Sequence, residues 1–272
     1  MTEAVQGTVP GGVPAASDQY VQSLARGLAV IRSFDAEHPR MTLTEVAART
    51  DLTRATARRF LHTLVELGYV RTDGKVFALT AKVLQLGYAY LSGLSLPQIA
   101  QPYLEELSLK LGESTSAAVL EGTDIAYIAR VAARRIMTVG ITVGTRFPAY
   151  ATSMGRVLLA ALPPAELQAY LAAAEIKPLT PRAIGSRDKL LAELDTVRAQ
   201  GWCMLDQELE LGLMSVAAPI YDGPNNVVAA LNVSLQAQAV AAQPDPSAYL
   251  ESVREAAIST ARLISADLAA GR

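Results

Sequence analysis

Between residues 42 and 64 the apolar positions change phase twice. Leu43, Val46 and Ala47 share one face of a short helix, and after a tight turn Ala57, Phe60, Leu61 and Leu64 recur at i, i+3, i+4, i+7. At 3.6 residues per turn, Ala55, Arg58, Arg59 and His62 fall opposite that second stripe. Gly68 can stop the helix, and two alternating apolar runs then flank Asp73-Gly74, a strong hairpin signal. An ordinary amphipathic helix with a solvated basic face gives the same stripe. The hairpin that follows it, tipped with Arg71 and Lys75, is what favours a winged helix-turn-helix reading double-stranded DNA. Thr53, Arg54, Thr56, Arg58 and Arg59 are then the expected operator contacts, with Arg71 and Lys75 on phosphates.

Upstream, Leu24, Leu28, Ile31 and Phe34 at helical spacing predict a helix over 20–38, closed by Pro39. The head thus spans 20–80. Residues 81–95 read as a linker helix capped by Thr80, with Val83, Leu84, Leu86 and Gly87 as its packing face, and Pro97 and Pro102 punctuate the passage into the body. In the body, 96–272, strand-like runs over 115–120 and 125–131 surround Glu121-Gly122-Thr123-Asp124, and 137–143 predicts a further strand. Helices are predicted over 153–162, 165–174 and 187–200, strands over 203–206, 216–221 and 227–235, and a long closing helix over 245–268. Hairpin-linked strands with helices inserted between groups indicate an α+β domain built on a curved antiparallel sheet.

Charge sharpens this division. Residues 20–80 carry +3, whereas 1–19 carry −2 and 81–272 carry −3, as suits a DNA-reading head on a body that does not touch DNA. The Gly/Pro/Ala/Val-rich residues 1–19 read as a disordered tail without signal-peptide features. One cysteine, Cys203, excludes an intramolecular disulfide and suits a reducing cytoplasm, and no apolar run reaches membrane-spanning length, so no membrane partner is expected.

Catalysis finds little support. Both histidines, His38 and His62, lie in the head, so the body has no Ser-His or Cys-His couple, and no His/Cys cluster has zinc spacing. Nucleotide-binding glycine motifs are absent, leaving no expected cofactor, metal or catalytic residue. Asp206, Glu208 and Glu210 could share a face of an extended segment but read better as a solvated loop rim, and Cys203 as a buried small residue. A binding site is more plausible where Thr152-Ser153-Met154-Gly155 starts a helix, because free N–H groups there attract a carboxylate, although Thr152 can equally serve as a simple cap.

Several segments together resemble the IclR family of bacterial transcriptional regulators, over nearly all of 23–268. These are Ser23-Leu24-Ala25-Arg26-Gly27-Leu28, Leu43-Thr44-Glu45-Val46-Ala47, Gly68-Tyr69-Val70 with Phe77-Ala78-Leu79-Thr80, Gly144 to Ala160, and Asp206-Gln207-Glu208-Leu209-Glu210-Leu211-Gly212-Leu213. The last two resemble the branch that controls protocatechuate and p-hydroxybenzoate catabolism. The resemblance implies a GAF-like effector domain, homodimers joined through heads and linker helices, and often a dimer of dimers; the winged head followed by a linker helix predicts two-fold pairing of heads on a palindromic operator. The resemblance also implies a pocket for a small aromatic or keto-acid carboxylate formed by Ser153, Met154, Asp206, Leu213, Ser215, Asn232 and Ser234. Met214 stands where the family usually has arginine, which predicts one cation fewer near that pocket. The rival expectations are an aromatic-acid-modifying enzyme with a regulatory head, and a body serving oligomerisation alone.

Overall fold

The computed structural model describes residues 20–86, 95–133 and 141–270. The chain divides between residues 90 and 91 into two compact units. The expected tail, 1–19, and the linker residues from Gly87 to 94 lie outside the described residues.

In the first unit, α1 (Gln22–Arg32), α2 (Leu43–Arg49) and α3 (Arg54–Glu66) surround a core of Val30, Phe34, Met41, Val46, Leu61, Leu64, Val70 and Phe77. A reciprocal cap starts α2: Thr42 N–H donates to Glu45 Oε2 at 2.7 Å, and Glu45 N–H donates to Thr42 Oγ1. Beyond α3, Gly68 takes φ +80°, and β2 (Val70–Thr72) and β3 (Val76–Leu79) form the expected hairpin, with Gly74 at φ +91° in its turn. A third strand, β1 (Met41–Thr42), pairs with the far edge of β3. At two residues it is too short to leave an alternation pattern. The first helix also ends earlier than expected, at Arg32, where Ser33 Oγ bonds back to the Val30 carbonyl. Its predicted apolar face splits: Phe34 is buried, but Leu24 and Leu28 are exposed. After Thr80, which accepts from Lys82 N–H, the chain makes a 3-10 turn at Ala81–Val83 and one helical turn to residue 86.

The second unit holds a six-stranded antiparallel sheet in the order β6-β5-β4-β9-β8-β7. Its strands are β4 (Ser114–Glu121), β5 (Asp124–Val131), β6 (Arg146–Pro148), β7 (Cys203–Asp206), β8 (Leu213–Tyr221) and β9 (Val227–Gln236). Two further helices, α4 (Ser95–Leu111) and, near the C-terminus, α9 (Pro246–Ala270), cover one face over Ile128, Val216, Leu231 and Leu235. On the other face lie α5 (Ser153–Ala161), α6 (Pro164–Ala173) and α7 (Arg187–Gln200), over Ala118, Tyr127, Ala217 and Ala230. A five-residue α8 (Ala237–Ala241) follows β9 directly.

The body differs from the sequence reading at three places. Residues 97–111 are helical despite Pro97 and Pro102. A mid-helix proline costs about 3 kcal/mol, but α4 buries Leu96, Leu104 and Leu107, each contributing roughly 1.5–3 kcal/mol. Packing outweighs propensity there. The strand expected over 137–143 is not found where it can be seen: 137–140 lie outside the described residues, 141–143 are not strand, and the edge strand is β6, just beyond. Finally, α8 was not expected, because five residues carry too little periodicity.

Candidate functional site

The head presents cations without acids. Arg54, Arg58, Arg59, Arg71 and Lys75 are exposed, and none has an ion-pair partner among the described residues. The scaffold arginines behave differently. Arg49 binds Asp35 at 2.6 Å and the Ser33 carbonyl at 3.0 Å, and Arg40 binds Asp73 at 3.0 Å. Asp73 also accepts from Lys75 and Val76 N–H, so the wing turn is held by its own carboxylate. Arg54, Arg58 and Lys75 line one groove of about 430 Å³ between α3 and the wing, together with Thr44 and His62, which sequence reasoning had not singled out as contacts. Arg59 and Arg71 lie outside it. The Thr53 hydroxyl caps α3 by accepting from Thr56 N–H at 3.2 Å, so both threonines set the start of the helix as well as facing its approach.

In the body, the 3-10 turn Ala149–Ala151 leads into α5, and Thr152 caps that helix by accepting from Gly155 N–H at 3.0 Å. Gly155 is demanded by contact: a Cβ there would stand 2.0 Å from the Ala149 carbonyl oxygen. This close approach turns Ser153 inward, 1% exposed, with an Oγ that has no hydrogen-bond partner. Across from it on β9, Asn232 donates to Ser234 Oγ at 3.3 Å while its Oδ1 is likewise buried and unpaired. Ser153, Leu213, Ser215, Asn232 and Ser234 line one recess, so five of the seven expected pocket residues meet there. Buried polar atoms normally find partners, and two orphans facing one recess mark a place for a polar guest.

The other two expected residues do not line it. Met154 is buried in the core beneath, and Asp206 points to the Arg182 guanidinium and the Gln207 amide. Thr152 and Ala151 of the helix entry also line the recess, and sequence reasoning missed Tyr127, Ile141, Leu205, Glu208 and Leu209, which complete the wall. Burial pushes the Tyr127 phenol up to about 12, keeping it a neutral hydroxyl. The cavity is tight, at about 20 Å³, room for roughly one water.

Glu208 overturns the expected solvated rim. Its carboxylate takes both ends of the buried Arg156 guanidinium, at 3.0 and 2.6 Å, and accepts from Ile184 N–H at 2.9 Å. Arg156 is 1% exposed and also donates to the Tyr150 carbonyl. This pair ties α5 to the loop after β7, which arches between two residues of positive φ, Gln207 and Gly212. The Met214 expectation is corrected as well. Its side chain is buried under α9 on the opposite face of the sheet, so position 214 directs nothing toward the recess. Cys203 is buried as expected, and burial pushes its thiol up to about 12.

Among the described residues no helix is long and apolar enough to cross a membrane. Comparison with known proteins agrees with this two-unit layout. The IclR helix-turn-helix domain matches residues 23–74, and the bacterial transcriptional regulator IclR C-terminal domain matches 88–265. The Pca regulon regulatory protein of Pseudomonas putida is 50% identical over 216 residues, 79% of this chain and 74% of that protein. The solved structure of a candidate transcriptional regulator from Rhodococcus sp. RHA1 is 58% identical with a TM-score of 0.81, covering 93% of this chain and 100% of that one. An IclR homologue from Microbacterium hydrocarbonoxydans, solved in complex with 4-hydroxybenzoate, is 25% identical with a TM-score of 0.77, covering 91% and 99%.

Proposed function

The chain belongs to the IclR family of bacterial transcriptional regulators, and from that premise we propose that it is a switch on operator DNA whose body senses a small aromatic carboxylate. It is a regulator rather than an enzyme, and it binds DNA through the helix-turn-helix head. The observation that carries the effector reading is the pair of orphaned buried atoms, Ser153 Oγ and Asn232 Oδ1, facing one recess with apolar walls at Leu205, Leu209 and Leu213. Relatives support the ligand class: one governs a pca regulon, and another was solved with 4-hydroxybenzoate. A ring enters a cavity this tight by parting the half-buried Ile141, Leu209 and Leu213.

The operator reading extends to the assembly. Tyr20, Val21, Leu24 and Leu28 leave an apolar stripe on the head that is 47–64% exposed. A second head covering that stripe gives a two-fold dimer, and two-fold heads read a palindrome with half-sites a whole helical turn apart. Arg58 or Arg59 reads guanine, and Arg71 and Lys75 hold phosphates.

The effector acts by binding two arrangements of the protein unequally, and a typical coupling of ~1–3 kcal/mol changes operator affinity roughly 5–150-fold. The test is calorimetric titration with protocatechuate, p-hydroxybenzoate and β-ketoadipate, then binding to an operator fragment selected by the purified protein, with and without each acid. The parent binds at least one acid and changes its operator affinity, whereas Ser153→Leu fills the recess and loses both effects. Equal binding of an acid to parent and Ser153→Leu places the pocket elsewhere, and binding of none removes the carboxylate class.

A further inference from the structure

We infer that Arg130, just outside the lining of the recess, is the cationic seat of the effector's carboxylate, set on the sheet face that Ser153 packs against and in the same cross-strand row as Asn232, with Ser116 between them. The inference rests on the effector reading above and adds to it a residue outside the expected set. Three observations carry it.

The first is position. Cross-strand pairing puts Arg130 of β5 opposite Ser116 of β4, Ser116 opposite Asn232 of β9, and Asn232 opposite Ala217 of β8. Paired residues point to the same side of a sheet, so all four face the side that carries α5 and the recess. A bulge makes this possible. Ala117 pairs with Ala129 but Ala118 pairs with Tyr127, leaving Ile128 as the extra residue. Tyr127 and Arg130, which plain alternation would put on opposite faces, therefore share one. Arg130 reaches along its row to donate to Ser116 Oγ at 3.1 Å. That places the guanidinium about one strand spacing, ~5 Å, from the Asn232 strand. It also lies close enough to the phenol of Tyr127, a wall of the recess, to interact with it electrostatically.

The second is unmet bonding. Arg130 Nε is buried and has no hydrogen-bond partner. A half-buried guanidinium with a free fork edge is poised for the two oxygens of a carboxylate. The third is contrast with the other described arginines of the body that are not exposed. Arg156 and Arg254 each hold a glutamate, while Arg187 and Arg262, unpaired among the described residues, stand in water. Arg130 holds no carboxylate among the described residues, and residues 134–140, which follow its strand, contain no acid. Burying a charge without a counter-charge is costly, and an anionic guest removes that cost.

The experiment titrates the full-length protein, its Arg130→Gln variant and its Arg130→Lys variant with 4-hydroxybenzoate and with its neutral isostere 4-hydroxybenzamide. The parent favours the acid over the amide. In Arg130→Gln the affinity for the acid falls roughly 10–100-fold and the acid-to-amide ratio collapses towards one. Arg130→Lys, which keeps the charge but loses the fork, retains an intermediate ratio, and it carries the same test if Arg130→Gln does not fold. An undiminished acid-to-amide ratio in the variants, or an equal loss of both ligands, overturns the assignment to Arg130 while leaving the effector reading intact. A parent that binds neither 4-hydroxybenzoate nor the other acids named above overturns both.

Discussion

The two units handle unsatisfied chemistry in opposite ways. The head satisfies its carboxylates and turn N–H groups locally, through the Thr42–Glu45 cap, the Arg49–Asp35 pair and the Asp73 turn, and directs its unpaired cations outward. Among the described residues the body pairs most of its surface arginines, and three of its four buried unpaired side-chain atoms, on Ser153, Asn232 and Arg130, lie on the recess side of its sheet, the fourth being Arg254 Nε. A polyanion as large as DNA is met by exposed charge, whose strength depends on salt. A small anion is selected by buried groups, whose strength depends on exclusion of water. One chain thus carries an electrostatic surface and a desolvated site, and each fails under different perturbations.

The largest expected effect is in the body. Arg156→Met leaves the Glu208 carboxylate, 13% exposed, without its partner and destabilises the body by about 3–5 kcal/mol. The chain's one tryptophan, Trp202, lies in the body, so its fluorescence follows this unit in urea or heat. The double variant Arg156→Met/Glu208→Met regains much of the loss, since apolar groups can replace a buried pair. A double variant no more stable than the single one breaks the claim that the ion pair holds the loop.

Close behind comes Gly155→Ala. Its Cβ meets the Ala149 backbone, which cannot swing aside as a side chain tip can, and the expected cost is about 3 kcal/mol or more. The Trp202 transition moves to lower denaturant, and a transition unchanged within error removes the close-packed turn as the reason for glycine.

In the head, Arg58→Ala or Arg59→Ala costs ~1–3 kcal/mol of discrimination between operator and random duplex if that arginine reads guanine. Arg71→Ala and Lys75→Ala weaken both duplexes alike and lower the salt slope by about one each. Measurement at several fixed salt concentrations separates the two patterns, and unchanged binding in all four variants sinks the surface assigned here.

The smallest effect sharpens the contrast through pH. Asp35, Glu45 and Asp73 in the head all lie below the ordinary carboxylate range, held there first by the His38 side chain, the Thr42 N–H, and the Val76 and Lys75 N–H groups respectively. A depressed folded value means a contribution present above the unfolded value, near 4, and lost as pH falls through the folded one. The head therefore loosens below about pH 4. Tyr127, Tyr170 and Cys203 of the body, raised to about 12 by burial, are silent in that window. Helical circular dichroism falling before Trp202 fluorescence changes is the expected order, and the reverse order breaks the comparison.

Much of this was legible in the chain. Long periodic segments such as α3 and α7, and hairpins marked by Asp73-Gly74 or Gly122, announce themselves because local spacing and turn chemistry dictate them. Helix α4 was obscured by its prolines and β1 by its brevity. Of the five pocket residues only Ser153 was marked by local pattern, as a helix entry; Leu213, Ser215, Asn232 and Ser234 came from resemblance, because the five are spread over 82 positions and meet only across three elements.

Sequence by itself determined the winged head, the α+β body and the family, since these rest on periodicity and on strings of neighbouring residues. Tertiary structure decided what each polar side chain faces. Glu208 looks like a solvated acid until the fold brings Arg156, 52 positions away, to its carboxylate. Met214 looks like a lost pocket cation until strand alternation turns it to the far face. Arg130 joins Tyr127 on the pocket face only because one bulged residue shifts the register of β5 against β4, and a shift of one residue reverses every side chain beyond it.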